Sequence, residues 1–239
     1  MLTTNHSIVL SKIKFKDYDL IVKCYTLNRG IVSYLLRGVL KSKKGRSKTV
    51  YFQELSQIQI EENYKPKHSL QSIREIKFNY IYKSLHTHIY KSAIVMFLSE
   101  ILSSVLKEEE KNEDLFYYIE TALQYLDNED EFSNFHLLFL LKLTRYLGFQ
   151  PEALNTNYPF FNLESGVFEL SESGKYVISG LQLTLLKQLL GINFDALHTI
   201  NINAKERQDF LRLLLLYFEL HLDNFKTPKS LQVLNDIFR

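Results

Sequence analysis

Tryptophan is absent and cysteine occurs once, as Cys24, in a chain of 239 residues. A lone cysteine cannot close an intrachain disulfide, and no zinc site of several thiolates can be built from it. Its expected role is that of a small buried hydrophobe. No run of about 18 uncharged apolar residues occurs, so no transmembrane helix is expected. The opening residues, Met1-Leu-Thr-Thr-Asn-His-Ser7, lack the basic and then apolar pattern of a secretory signal. The expectation is a cytoplasmic protein.

Catalytic constellations are also missing. His86 and His88 stand two apart on an expected helix, where they face different ways. His136, His198 and His221 are scattered. Glu108-Glu-Glu110 and Asn128-Glu-Asp-Glu131 read as solvated helix ends. Asp17 and Asp19 form a DxD in a charged turn, but a metal-dependent nuclease needs several acids converging on a basic surface. Gly38 and Gly45 are separated by six residues, not the four that a phosphate-binding P-loop requires. No enzymatic activity, no cofactor and no bound metal are expected.

What is present is a strong division of charge. Residues 1–80 carry 15 Lys and Arg against 6 Asp and Glu, a net of +9, whereas residues 81–239 carry 14 against 21, a net of −7. A basic front joined to an acidic rear points to a polyanion-binding domain attached to a different module.

The front reads as strands. Ser7–Phe15, Asp19–Thr26, Gly30–Leu36, Glu54–Ile60 and Ser69–Ile76 give five short strands within 80 residues. Five antiparallel strands with edges to hide are accommodated by the OB-fold. The rear changes period. Ile81, Leu85, Ile89, Ala93, Phe97 and Ile101 fall four apart, which predicts one long amphipathic helix. Further helices are expected at 115–126, 133–147, 174–190, 204–224 and 229–238, the last opened by Thr227 as N-cap and Pro228 at the first helical position. The fold class is therefore α+β. A five-stranded OB-fold barrel over residues 1–79 precedes an all-helical domain over 80–239, with an irregular loop at 149–173 and a short strand within it at 166–170.

The segment Arg37-Gly-Val-Leu-Lys-Ser-Lys-Lys-Gly-Arg-Ser-Lys48 holds six cations and no acid. Its two glycines and two serines predict a flexible loop that can lay cations along a phosphate chain. The candidate nucleic-acid contacts are Arg37, Lys41, Lys43, Lys44, Arg46 and Lys48, joined by Lys14, Lys16 and Lys23. A solvated loop kept positive for solubility is the competing reading. Aromatics interleave with the cations at Phe15, Tyr18, Tyr25, Tyr34 and Tyr64. Alternation puts Tyr25 on the face of Lys23, opposite Val22 and Cys24, so Tyr25 is the preferred stacking ring. An RNA-binding OB protein and a protein-only adaptor with a basic docking loop are the alternatives to DNA binding.

From end to end the chain resembles the RecO recombination mediators of bacteria. The resemblance rests on Arg37-Gly-Val-Leu-Lys-Ser-Lys-Lys-Gly-Arg46 after the third strand. It is sharpest at Leu140-Leu-Lys-Leu-Thr-Arg-Tyr-Leu-Gly-Phe149, and returns at Tyr217-Phe-Glu-Leu-His-Leu222 and Lys229-Ser-Leu-Gln-Val-Leu234. It implies DNA repair and recombination at the nucleoid: binding of single- and double-stranded DNA, strand annealing, and help in loading recombinase onto protein-coated single strands. The implied partners are RecR and the acidic C-terminal tail of the single-stranded DNA-binding protein. For that tail, Lys142 and Arg145 with the apolar Phe135 and Phe139 are the candidate site. Many members of the family carry a four-cysteine zinc module in the rear domain. Here the corresponding loop 149–173 has no cysteine, and packing of Tyr158, Phe160, Phe161 and Phe168 is expected to hold it instead.

Overall fold

The computed structural model describes residues 2–106 and 110–239. Of the acidic stretch 108–110, only Glu110 lies within the described residues, and it is exposed. The chain divides into two compact units. The first comprises residues 1–128 with 228–230, and the second 129–227 with 231–239.

The first unit is built on five antiparallel strands: β1 (Leu2–Phe15), β2 (Asp19–Thr26), β3 (Gly30–Leu36), β4 (Gln57–Asn63) and β5 (Ile73–Phe78). Their order in the sheet is β3-β2-β1-β4-β5. No continuous ladder joins the edge strands β3 and β5. A single parallel bridge, Tyr34 to Gln71, spans them through Leu35 N–H to Gln71 O at 2.9 Å and Gln71 N–H to Ser33 O at 2.8 Å. This partly open arrangement is the OB topology. One face of the sheet buries Val9, Val22, Cys24, Val32, Tyr34, Ile58 and Ile60. Cys24 is a buried free thiol whose pKa burial pushes up, so it packs as a hydrophobe.

The other face is covered as well. Helix α1 (Lys43–Ser47) belongs to the β3–β4 connection, and α2 (Ile89–Val105) lies against β1. Helix α3 (Glu113–Asn128) is fastened by Gln57, whose side chain donates to Glu120 O and accepts from the Gln124 amide, both at 2.8 Å. Two helices read from sequence as part of the rear domain therefore pack with the sheet.

The long helix expected from Ile81 begins only at Ile89. The buried Asp127 carboxylate fastens the stretch before it. It accepts the N–H groups of Lys83, Ser84 and Leu85, each at 2.8 Å, and so holds this stretch in a turn ahead of the helix. His86 and His88 consequently precede the helix: His88 is its N-cap residue, and the His86 ring bonds Glu54 O at 2.8 Å.

The second unit centres on α4 (Phe135–Tyr146), in which every residue from Phe135 to Leu141 is buried. A helix that is apolar all round belongs inside. Against it pack α5 (Gly180–Leu190), a 3₁₀ turn at Phe194–Thr199 and α6 (Ala204–His221), the last opened by a capping box between Asn203 and Glu206. The final helix, α7, spans Leu231–Ile237 rather than starting at 229. Thr227 does not cap it; the Thr227 hydroxyl donates to Glu219 at 2.8 Å.

The region 149–173 is less irregular than expected. It contributes β6 (Phe160–Asn162) and β7 (Val167–Glu169), and β8 (Val177–Ile178) completes a three-stranded sheet of order β7-β6-β8. Residues 174–179, assigned to a helix by sequence, instead lead into and through β8. Phe161 packs on Phe168 with centroids 4.9 Å apart, and Gly166 (φ +71°) sits where a Cβ would come within 2.8 Å of the Tyr217 hydroxyl. The Tyr217 hydroxyl donates to Phe149 O at 2.8 Å. Aromatic packing thus holds this region together.

Candidate nucleic-acid interface

The basic segment is not a flexible loop. Its ends are anchored by Val39 and Phe52, both buried in the sheet's core. Between them, Ser42 caps α1 by accepting from Gly45 N–H at 3.0 Å, and a 3₁₀ turn continues from Lys48 to Phe52. Gly45 is required at its position because a Cβ there would run into the Val39 carbonyl oxygen. Glycine and serine here serve close packing and capping, and that is why composition alone suggested mobility. The segment is also tied to the β1–β2 turn. Gly38 N–H donates to Asp19 Oδ1 at 2.7 Å, and Leu40 N–H to Tyr18 O at 2.9 Å.

This anchoring leaves the cations outside. Arg37, Lys41, Lys43, Lys44, Arg46 and Lys48 are all exposed. None of them forms an ion pair among the described residues; Arg46 donates from Nε to Leu40 O at 3.0 Å. Lys14 and Lys16 are exposed on the β1–β2 hairpin, and Lys23 is half-buried. Another front-domain cation is engaged internally. Arg29 pairs at 2.7 Å with the fully buried Glu62 and stacks 4.2 Å from the Tyr64 ring centroid. Burial pushes the Glu62 carboxyl above the usual carboxylate range, and Arg29 opposes that shift.

A cleft of about 700 Å³ opens beside the segment. Arg37, Lys44 and Lys48 line one side, and Lys65 and His68 the other, over a floor that includes Leu35 and Ile73. Gln71 holds the second side in place. Its side-chain carbonyl accepts from Lys65 N–H at 2.9 Å, and its amide donates to the carbonyls of Lys65 at 2.9 Å and His68 at 2.6 Å. Sequence reading missed Lys65 and His68. The run Lys65-Pro-Lys-His68 is a second cation cluster, but only the Tyr34–Gln71 bridge brings it to the first.

Tyr25, the ring chosen for stacking, is 1% exposed. It packs on Phe116 of α3 at 5.9 Å, and its hydroxyl donates to Asn112 O at 3.0 Å. Alternation placed it correctly on the face away from Cys24, but that face is covered by helix, not open. Tyr25 is removed from the candidate contacts.

The site proposed for a protein tail is only partly available. Phe135 and Phe139 are 0% exposed, and Phe135 stacks on Phe194 at 5.1 Å, so neither ring lines an open pocket. Lys142 is half-buried and donates to Asn193 Oδ1 at 2.8 Å; burial, with Arg145 adding to it, lowers its pKa. Arg145 is exposed. Among the described residues no three His, Cys, Asp or Glu side chains converge as metal ligands, and no helix is long and apolar enough to cross a membrane.

Comparison with known proteins agrees with this architecture. The family Recombination protein O N terminal matches residues 1–82, and Recombination protein O C terminal matches residues 86–231. The DNA repair protein RecO of Christiangramia forsetii is 50% identical over 238 residues, spanning all of both chains. That of Flavobacterium johnsoniae is 45% identical over 232 residues, 97% of each chain. That of Phocaeicola vulgatus is 35% identical over 241 residues, again covering both completely. With both family regions matched in order and relatives aligned from end to end, the chain belongs to the RecO family of DNA repair and recombination proteins.

Proposed function

We propose that the protein is a DNA-binding recombination mediator that holds single- and double-stranded DNA on the basic surface of its first unit and anneals complementary strands without nucleotide hydrolysis. The observation that carries this reading is the anchored segment 37–48, whose six cations are exposed and pair with no acid among the described residues, beside a cleft that Lys65 and His68 line from the opposite side. Cations held at fixed spacing can neutralise successive phosphates and release their counterions. Family membership supports DNA as the polyanion. Loading of recombinase onto protein-coated strands, with RecR and the tail of the coating protein as partners, completes the proposal. Arg145 and Lys142 are its candidate tail contacts.

Replacing Lys43 and Lys44 with Glu tests the reading. Both side chains are exposed, so the melting temperature should not change. Affinity for an oligonucleotide should fall markedly. In the wild-type protein log K should decline with log salt at a slope of about −3 to −4, as expected for four to six neutralised phosphates. Unchanged affinity in the double variant, or no oligonucleotide binding at low salt, would sink the proposal.

A further inference from the structure

We infer that Tyr18 is the ring on which an unpaired base stacks, and that it makes the basic surface discriminate single strands from duplex. The inference rests on the DNA-binding reading above and concerns what that surface recognises.

The other rings of the sheet region are already engaged. Tyr25 and Tyr34 are buried. Tyr51 stacks on Phe78 at 4.5 Å, Tyr64 lies under the Arg29 guanidinium at 4.2 Å, and Lys16 Nζ stands 5.4 Å from the Phe15 ring. Tyr18 is 51% exposed, and no ring or cation contact engages it among the described residues. A half-exposed aromatic ring is ordinary on a mobile turn, but this turn is fixed. Phe15 pairs with Asp19 as the last rung of the hairpin. The Tyr18 carbonyl accepts Leu40 N–H at 2.9 Å, and Asp19 accepts Gly38 N–H at 2.7 Å. These two bonds join the turn to the stretch Arg37–Lys41, part of which lines the cleft. Lys14 and Lys16 are exposed on the same hairpin.

An exposed ring on a fixed turn, beside cations that can hold phosphates, is the arrangement by which proteins bind single strands: the ring takes a base face while the cations hold the backbone. In duplex DNA each base face is covered by its neighbours in the stack. A ring can reach it only by unstacking a base pair, which costs a few kcal/mol. Tyr18 should therefore contribute to single-strand affinity and not to duplex affinity, whereas the cations contribute to both.

The test measures binding by fluorescence anisotropy at one salt concentration, using the full chain and three probes. These are an oligothymidylate of about 15 nucleotides, long enough for one OB site, the same backbone with abasic positions, and a duplex. Tyr18→Ala should weaken oligothymidylate binding about 10-fold, the scale of one lost base stack. It should leave the abasic and duplex probes within error of wild type. Tyr18→Phe, which keeps the ring, should restore wild-type behaviour. Equal weakening on all three probes would show that Tyr18 merely supports the basic segment, and no change on oligothymidylate would show that it does not stack; either overturns the inference. If the wild-type chain binds none of the three probes, the DNA reading itself fails, and the inference fails with it.

Discussion

His136 lies in α4 with its ring fully buried, 5.9 Å from the Phe238 ring. Burial is the larger cause, and the charge of Arg207 the smaller, of a pKa lowered from 6.5 to about 3. The sign follows from linkage. The folded ring is neutral, whereas the unfolded chain takes up a proton near 6.5, so the unfolded state binds more protons at acid pH. This stability is complete above about pH 6.5 and is lost as pH falls toward 3, by about 2 kcal/mol at pH 5. His136→Phe, which keeps a neutral ring of similar shape, should flatten the fall of melting temperature between pH 7 and 5. Equal slopes in the two proteins would assign the acid sensitivity elsewhere. The apolar run around His136 allowed either a packed or a solvated ring, and its burial follows only from the elements packed around α4. Tyr25 was no more legible. Its alternation with Cys24 gave the correct side of the strand, but whether that side meets water or α3 depends on residues almost 90 positions away.

Among the elements, the turn before β5 determines the shape of the candidate interface. Gln71 is 4% exposed, and its side chain imitates a strand partner by satisfying the backbone of Lys65 and the carbonyl of His68. Its own backbone bridges to β3. Gln71→Ala would leave these groups without partners, at a cost of about 2 kcal/mol. We expect a lower melting temperature, together with weaker oligonucleotide binding because Lys65 and His68 lose their fixed positions. Gln71→Glu keeps the acceptor but turns a buried carboxylate oxygen toward the carbonyls of Lys65 and His68, and should cost at least as much as alanine. An alanine variant with wild-type stability and affinity would show that the turn holds itself. The five strands, and the six cations after the third, could be read from period and composition because both signals are local. The cleft could not, because a single parallel bridge between sequence-distant residues creates it. The order of the segment 37–48 was also hidden: Ser42 reads as a linker residue until it is seen capping a helix, and Val39 and Phe52 reveal nothing until the core they enter is known.

Across the whole molecule, the charge division of +9 in residues 1–80 and −7 in residues 81–239 separates two binding problems. A polyanion is attracted to the front and repelled by the rear. An acidic protein tail is a polyanion too, so the proposed docking on the rear requires a local exception. Arg145, exposed on α4, and the half-buried Lys142 supply one. If the tail docks there, it and DNA occupy different units, and neither should displace the other. Adding an acidic tail peptide to a preformed complex of the protein with labelled oligonucleotide should therefore leave the DNA bound. Arg145→Ala should weaken peptide binding without altering oligonucleotide affinity. Were the peptide to release DNA in proportion to its own binding, it would be competing for Arg37, Lys44 and Lys48, and the rear site would be discarded. The two outcomes differ physically. A shared site makes the tail and the strand exclude each other, so the protein could only exchange one for the other. Separate sites would let one chain hold a protein tail and a strand's phosphates at the same time, as the proposed annealing on a coated template requires.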